Sequence, residues 1–291
     1  MINFQQDMIE RVVEELMSGY TQTYGNLKGE YCTILGWIAR LSLENISNTD
    51  ALYHNVEHTA LVALAGQEIL KGKHLREGKV QPRDWLQFMI ASLCHDIGYV
   101  RGICRDDEPE RYADGVGGMV ELGIKGTDAA LTPYHVDRSQ CFVRERFLES
   151  MIDGEVDLAW ICALIEKTRF TNASLQEEED PFDYPALVRA ADFIGQLGDP
   201  GYLRKLPALY AEFQEIGANT IMGYDSPAAM RAGYASFFWQ MISPKIQGAL
   251  HYLSISHLGR QWIAGLYAHV FAVEHRARPQ PLRNPAGVIF E

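Results

Sequence analysis

The sequence lacks most of the features that mark secreted, membrane and disulfide-bonded proteins. It has five cysteines, an odd number, and no two of them form a C-x-x-C pair, which argues against a disulfide scaffold and a cysteine-based redox or zinc motif. No basic segment followed by an apolar run opens the sequence, so we expect no signal peptide. No apolar stretch is long enough to cross a bilayer. We therefore predict reduced thiols, a cytoplasmic location and no membrane partner.

Positive charge is also scarce. Lysine and arginine total 26 against 38 aspartates and glutamates, a formal net charge of −12. This balance argues against a nucleic-acid polymer or an anionic membrane as the main partner. A small anionic substrate stays compatible with it, because a bound metal ion can reverse the sign of the potential at one site.

The composition and the hydrophobic pattern predict one all-α domain. The chain has 291 residues, of which 47% are hydrophobic and 22% charged, as in a folded protein with a substantial core. Apolar residues recur every three or four positions from Met8 to Met17 and from Tyr31 to Leu41, which is typical of amphipathic helices. No stretch alternates strongly enough to require a sheet.

Further helices and the segments between them follow from the same pattern. We predict helices at residues 56–70, 84–94, 136–152, 157–167, 184–192, 204–218, 226–250 and 257–275. Asp84 is the predicted N-cap of its helix, and residues 71–83 and 97–118 are predicted loops. We expect the acidic runs 106–110 and 177–180 to be solvated. Residues 1–50 should pack as helices on the core of 51–275, and 276–291 should form an irregular tail.

Three local patterns place histidine and aspartate in apolar surroundings. In the run Y-H-N-V-E-H, His54 and His58 are four residues apart and would share one helix face. His95 and Asp96 end an apolar helix, and Asp192 interrupts another. Each alone has a structural explanation, as a core histidine, a helix end or a capping aspartate. Together they favour a site for a divalent ion, Zn, Mn, Fe, Co or Mg, because buried carboxylates are costly without a partner.

These residues resemble the H…HD…D signature of the HD-domain metal-dependent phosphohydrolases. The run Y-H-N-V-E-H is more similar to the Y-H-N-x-x-H motif of the class I cyclic nucleotide phosphodiesterases. The resemblance implies a phosphodiesterase-like bundle of helices, with His58, His95, Asp96 and Asp192 as metal ligands and Asp96 bridging to a second ion. It also implies His54 as the general acid that protonates the leaving oxygen, a role that suits the ordinary pKa of histidine.

The sequence departs from the phosphodiesterase pattern at two places. The third histidine of H-D-x-x-H is replaced by Tyr99, and His135 is either its substitute beside a second metal or an exposed loop histidine. The glutamine and phenylalanine that hold the purine align with Tyr234 and Phe237, which are either substrate-pocket residues or ordinary helix core. Asn55 is a third candidate for the substrate pocket.

The likeness extends over roughly residues 52 to 244, and it includes Ala190–Ile194 and Leu209–Phe213. We predict a metal-dependent phosphohydrolase that acts on a small phosphorylated substrate, such as a nucleotide, with a phosphodiester preferred. The alternatives are a nucleotide phosphomonoesterase, an HD-type di-iron oxygenase and a non-catalytic binding module. The sequence leaves the oligomeric state open, a homodimer being one option.

Overall fold

Helices make up nearly all the regular structure in the computed structural model, which describes residues 3–123, 126–148, 154–170 and 180–276. In chain order the α-helices of these ranges are α1 (Phe4–Tyr24), α2 (Gly29–Ile46), α3 (Val56–Glu77), α4 (Pro82–Cys94), α5 (His135–Phe147), α6 (Leu158–Glu166), α7 (Tyr184–Leu197), α8 (Tyr202–Glu215), α9 (Ala218–Met222), α10 (Pro227–Phe237), α11 (Gln247–Leu253) and α12 (His257–Arg276). The prediction of an all-α protein is confirmed.

Side-chain caps fix where several of these helices begin. Asn3 accepts a hydrogen bond from the backbone of α1, and Asp157 does the same for α6. Asp183 accepts from Ala186 N at 2.8 Å, and Pro185 occupies the first turn of α7. These short polar side chains satisfy backbone N–H groups that have no partner inside the helix.

The predicted loop at residues 71–83 is wrong over most of its length. Helix α3 continues to Glu77, and α4 begins at Pro82. The glycine at position 72 misled the prediction, since its role is close packing: a Cβ there would overlap the carbonyl oxygen of Tyr252. Asp84 is not the N-cap of α4 either. Gln81 is the cap residue, and Asp84 accepts a hydrogen bond from Gln81 N at 3.2 Å as the second half of a capping box.

The predicted helix 226–250 is interrupted. Helix α10 passes into a π-helical turn at Phe238–Ile242 and a 3-10 turn at Ser243–Lys245 before α11 starts. Pro244 lies in the second turn, where it has no backbone N–H to continue an α-helix.

The segment predicted as a loop at residues 97–118 contains a short 3-10 turn at Ile97–Tyr99 and most of a small hairpin. Strands β1 (Arg111–Ala113) and β2 (Met119–Glu121) pair antiparallel, with Tyr112 opposite Val120.

The acidic run 106–110 was predicted to be solvated, and this prediction is wrong for Asp107. The Asp107 side chain is only 2% exposed and forms an ion pair with Arg138 at 2.9 Å. In the second run, Asp180 is exposed and 177–179 lie outside the described residues, as do 277–291 of the predicted tail.

Helices α1 and α2 pack against α3 and α4. The ring of Trp85 in α4 meets Tyr20 and Tyr24 of α1 edge-on, with centroids 6.4 and 5.6 Å apart. The Ser42 hydroxyl of α2 lies 3.3 Å from the Cys94 thiol of α4. The N-terminal helices therefore share one apolar core with the rest of the described chain.

Helices α3 and α7 cross at very short range. A Cβ on Gly195 would lie 2.7 Å from the Val62 backbone, so only glycine allows this approach. The contact matters for the site, because α3 supplies His58 and α7 supplies Asp192.

Two further findings concern the sequence predictions about cysteine and membranes. All five cysteines lie in the described ranges, and none is bonded to another. Within those ranges, every helix is too short or too polar to cross a membrane.

Candidate metal centre and its cavity

The four ligands implied by the sequence come together from three helices. His58 lies in the first turn of α3, His95 and Asp96 follow the last residue of α4, and Asp192 is in the middle of α7. His58 Nε2 is 3.3 Å from Asp96 Oδ2 and 3.3 Å from Asp192 Oδ1. His95 Nε2 is 3.1 Å from Asp96 Oδ2 and 3.7 Å from Asp192 Oδ1. We call these four residues the ligand cluster.

The orientation of His95 indicates what the cluster requires. Its Nδ1 donates a hydrogen bond to the carbonyl of Ser92 at 2.8 Å, so the neutral ring presents the lone pair of Nε2 to the cluster. His95 Nε2 and Asp96 Oδ2 are both buried, and neither has a hydrogen-bond partner. Two facing acceptors are satisfied only by a cation between them, either a proton or a metal ion. The donor set therefore fits a divalent metal.

The electrostatics of the ligand cluster agree with this fit. Burial opposes charge on His58, but the neighbouring carboxylates of Asp192 and Asp96 raise its pKa to about 10. The pKa of Asp96 is well below its usual range, because the neighbouring His95 and His58 outweigh burial. The two carboxylates thus favour positive charge at this place, which a divalent ion would also supply.

A histidine–glutamate pair, His54 and Glu212, borders the ligand cluster. His54 Nδ1 donates to Glu212 Oε2 at 2.5 Å, and the same carboxylate accepts from the backbone of Tyr53 and His54. Burial raises the pKa of Glu212, but the charge and the bond of His54 lower it below its usual value. With Nδ1 engaged, Nε2 is the ring nitrogen left for another partner. The rings of His54 and His58 are 5.6 Å apart.

Tyr99 stands where the resemblance places a third histidine. Its ring is stacked between His54 and His135, with centroids 4.7 and 4.5 Å away. Its hydroxyl bonds the side chain of Thr132. His135 is held through Nδ1 by the Thr132 carbonyl at 2.6 Å, and its Nε2 is 3.7 Å from Asp96 Oδ1. Asp96 and His135 are therefore the side chains available to a second ion.

Two side chains of α5 form hydrogen bonds with the backbone on either side of Asp96. Ser139 Oγ donates to the His95 carbonyl at 2.7 Å and accepts from Gly98 N at 2.9 Å. The fully buried Arg138 donates to the carbonyls of Gly98 and Val100. These bonds limit the movement of Asp96 relative to α3 and α7.

A cavity of about 370 Å³ opens from the ligand cluster. His54, Asp96, His135 and Asp192 line one end of it. The remaining wall is mostly apolar, and most of it comes from the segments that follow Asp192 in the chain. Its apolar side chains include Phe170, Phe193, Leu197, Leu206, Leu209, Phe213, Ile216, Met222, Met230, Phe237 and Ile242.

The three predicted pocket residues have different positions. Tyr234 and Phe237 lie in the cavity wall. Asn55 lies outside that wall and caps α3, accepting hydrogen bonds from the backbone of Glu57 and His58. The sequence interpretation did not assign roles to Glu212 and to Gln196, a further wall residue. A signal existed for Glu212, which is three residues from Leu209 on the buried face of α8.

Comparison with known proteins gives one result. The sequence model of a family described as Npun_R2479-like matches residues 2–276. The searches of curated proteins and of solved structures gave no match. The matched range contains the whole ligand cluster and every residue named in the cavity wall.

Proposed function

The chain belongs to the Npun_R2479-like family. From the geometry of its site we propose that it is a metal-dependent phosphohydrolase. Its substrate is a small phosphoester, with a phosphodiester preferred. The observation that supports the proposal most is the position of His54, oriented by Glu212, beside the ligand cluster at one end of the cavity. The order of these residues, which resembles the HD-domain phosphohydrolases, is further support.

His58, His95, Asp96 and Asp192 would hold the metal ion, and His135 with Asp96 would hold a second. Bound there, a divalent ion offsets the charge of a phosphoester and lowers the pKa of water toward neutrality. The chain supplies imidazole nitrogens and carboxylate oxygens, which suit Zn, Mn, Fe, Co or Mg. The free cysteines accord with a cytoplasmic location, which we include in the proposal.

His54 has the role of general acid. Water attacks the phosphorus atom and releases a proton to solvent, while the bond from phosphorus to the leaving oxygen breaks. His54 Nε2 gives that oxygen a proton and is protonated again from solvent. The products of a diester are a monoester and an alcohol. Glu212 is a positioning residue, because it holds Nδ1 and so directs Nε2 toward the cavity.

The first test is the metal content of the purified chain, measured by elemental mass spectrometry before and after incubation with Mg²⁺ and Mn²⁺. We expect one or two equivalents of a divalent metal in the native chain and in Asp106→Ala, an exposed control. Asp96→Ala should lose most of it. Absence of metal from the native chain under both conditions would overturn the proposal.

The second test is hydrolysis with leaving groups of different basicity. Bis(p-nitrophenyl) phosphate releases a weak base that needs no proton, whereas dibutyl phosphate must release an alcohol. We expect His54→Ala to lower the dibutyl rate about 10²–10⁴-fold and the p-nitrophenyl rate much less. His257→Ala, in an exposed part of α12, is the control. An equal loss on both substrates would contradict the role of His54.

A phosphomonoesterase is the second candidate. Tyr99 in place of the third histidine favours it, because fewer imidazoles then face a second ion. Product analysis separates the two: a diesterase releases one alcohol and a monoester, and a monoesterase releases inorganic phosphate.

A further inference from the structure

We propose that the cavity selects a phosphoester with one phosphoryl group and an apolar organic group, an alkyl or prenyl chain, rather than a nucleoside. The inference rests on the proposed function, since it names the substrate class of that same site. It comes from the character of the cavity wall away from the ligand cluster.

The wall of the cavity is mostly apolar and suits a hydrocarbon group. Leu206, Leu209, Phe213, Met230 and Phe237 face the same space. A cavity of about 370 Å³ holds at least about a dozen non-hydrogen atoms, if each takes the ≈30 Å³ of a liquid water molecule. An apolar group of that size would leave water on binding, which is the main source of affinity in such pockets.

Three polar side chains of the wall, Thr132, Thr168 and Gln196, already form hydrogen bonds within the protein. Thr132 donates to the Ala129 carbonyl at 2.6 Å, and Thr168 donates to the Ile165 carbonyl at 2.8 Å. Gln196 is hydrogen-bonded to the Tyr202 hydroxyl. A nucleobase and a ribose would enter with several donors and acceptors, and few of them would regain the bonds they make to water.

The charge of the wall limits the number of phosphoryl groups. Among the described wall residues, one carries a Lys or Arg side chain, and this residue is Arg169. It is committed to carboxylates, Asp137 at 2.7 Å and Glu166 at 2.5 Å. A diphosphate or triphosphate would place its extra charges near Asp96, Asp192 and Glu212, where the described wall offers no further Lys or Arg side chain.

Away from the ligand cluster, the described wall has one buried polar atom without a hydrogen-bond partner. Tyr234 is 2% exposed and lies in the wall, and its hydroxyl has no hydrogen-bond partner. Its ring contacts Tyr202, with centroids 5.4 Å apart. An apolar chain with one hydroxyl or ether oxygen would satisfy it.

The test uses the full chain loaded with Mn²⁺ and a series of p-nitrophenyl alkyl phosphates with methyl, butyl and octyl groups. The leaving group is the same throughout, so kcat/KM reports the alkyl group alone. We expect kcat/KM to rise by up to about fourfold per methylene until the cavity is full. Cyclic AMP and AMP should be poorer substrates than the octyl ester.

Binding of methyl-, butyl- and octylphosphonic acid, measured by calorimetry, separates this inference from the proposed function. Affinity that rises with chain length, together with hydrolysis, supports both. The same binding with no hydrolysis of any ester supports the substrate class of the cavity but overturns the phosphohydrolase. Affinity and kcat/KM independent of length, or a preference for the nucleotides, overturn the inference alone.

Two variant pairs locate the effect. Ala218→Phe fills the cavity from its wall, and we expect it to remove the advantage of octyl over methyl. Ala232→Phe, an exposed site on α10, should keep that advantage. Tyr234→Phe should reduce the kcat/KM of an ester with a terminal hydroxyl on its alkyl chain more than that of the plain alkyl ester. An octyl advantage unchanged by Ala218→Phe, with the fold intact by circular dichroism, would count against the assigned cavity.

Discussion

At the scale of single residues, Glu212 offers the sharpest test of the site. Its carboxylate is 2% exposed and holds His54 Nδ1. We expect Glu212→Gln to lower hydrolysis of dibutyl phosphate by about 10²–10⁴-fold, because the imidazole loses its orientation. The p-nitrophenyl ester should be affected far less.

The matched control is Glu14→Gln, an exposed position on α1. It should leave both rates unchanged. If Glu212→Gln lowered the two rates equally while the chain stayed folded, Glu212 would have a purely structural role.

Asp107 should contribute stability that depends on pH. Burial raises its pKa, but the ion pair with Arg138 lowers it below the usual value. A carboxylate whose folded pKa is depressed stabilises the fold above its unfolded pKa, near 3.9, and loses that contribution as the pH falls through the folded pKa. Asp107→Asn should therefore cost about 3–5 kcal/mol at pH 7, and the difference from wild type should shrink below about pH 4.

Urea unfolding of both chains at several pH values measures this difference. Asp106→Asn, the exposed neighbour, should match wild type throughout. A cost for Asp107→Asn that stays constant down to the lowest pH would contradict the ion-pair explanation.

The sequence indicated single site residues where burying an ionisable group costs free energy. His58, His95 and Asp192 could be singled out because ionisable groups in apolar runs need partners, and the structure brings them together. Asp107 and Glu212 could not be separated from other acidic residues, since their partners are 31 and 158 positions away in the chain. A pairing between residues so far apart in the chain can be identified only from the packed structure.

At the scale of elements, the crossing of α3 and α7 sets the width of the ligand cluster. Gly195 allows the two helices to approach, and Val62 fills the space where its side chain would be. We expect Gly195→Ala to destabilise the fold by about 1–3 kcal/mol. It should also weaken metal binding, because His58 and Asp192 move apart.

Thermal unfolding and metal titration test this crossing. Gly29→Ala, at the start of α2 with open space around it, is the control and should be neutral or slightly stabilising. Metal affinity unchanged in Gly195→Ala would show that the crossing does not set the ligand distances.

The difference between local and long-range contacts explains which element boundaries could be predicted. The starts of α6 and α7 follow from local capping chemistry, and the sequence indicates them well. The end of α3 does not, because Gly72 and Lys73 suggest a loop until the contact of Gly72 with Tyr252 is known. The β1–β2 hairpin has strands of three residues, too short for alternation to be detected.

At the scale of the whole molecule, one apolar core joins α1 to α12, with buried members from Ile9 to Val273. The residues of the ligand cluster come from three of these helices, α3, the end of α4, and α7. A metal that binds the folded chain and not the unfolded chain therefore stabilises all of it, by about 2.7 kcal/mol at a free concentration 100 times Kd.

We expect the melting temperature to rise by several degrees on addition of Mn²⁺ or Zn²⁺. His58→Ala should abolish the rise, whereas His257→Ala should keep it. An equal rise in both variants would indicate that the metal binds elsewhere on this acidic surface.

The position of Tyr99 has a consequence for spectroscopy. Circulating electrons in an aromatic ring oppose an applied magnetic field above and below its plane, and the imidazoles of His54 and His135 lie on the two faces of this ring. Their carbon-bound protons should resonate upfield of ordinary histidine signals, apart from those of His58 and His95. Nuclear magnetic resonance could then follow His54, the proposed general acid, and His135, the proposed ligand of a second ion, separately and without any label introduced into the chain.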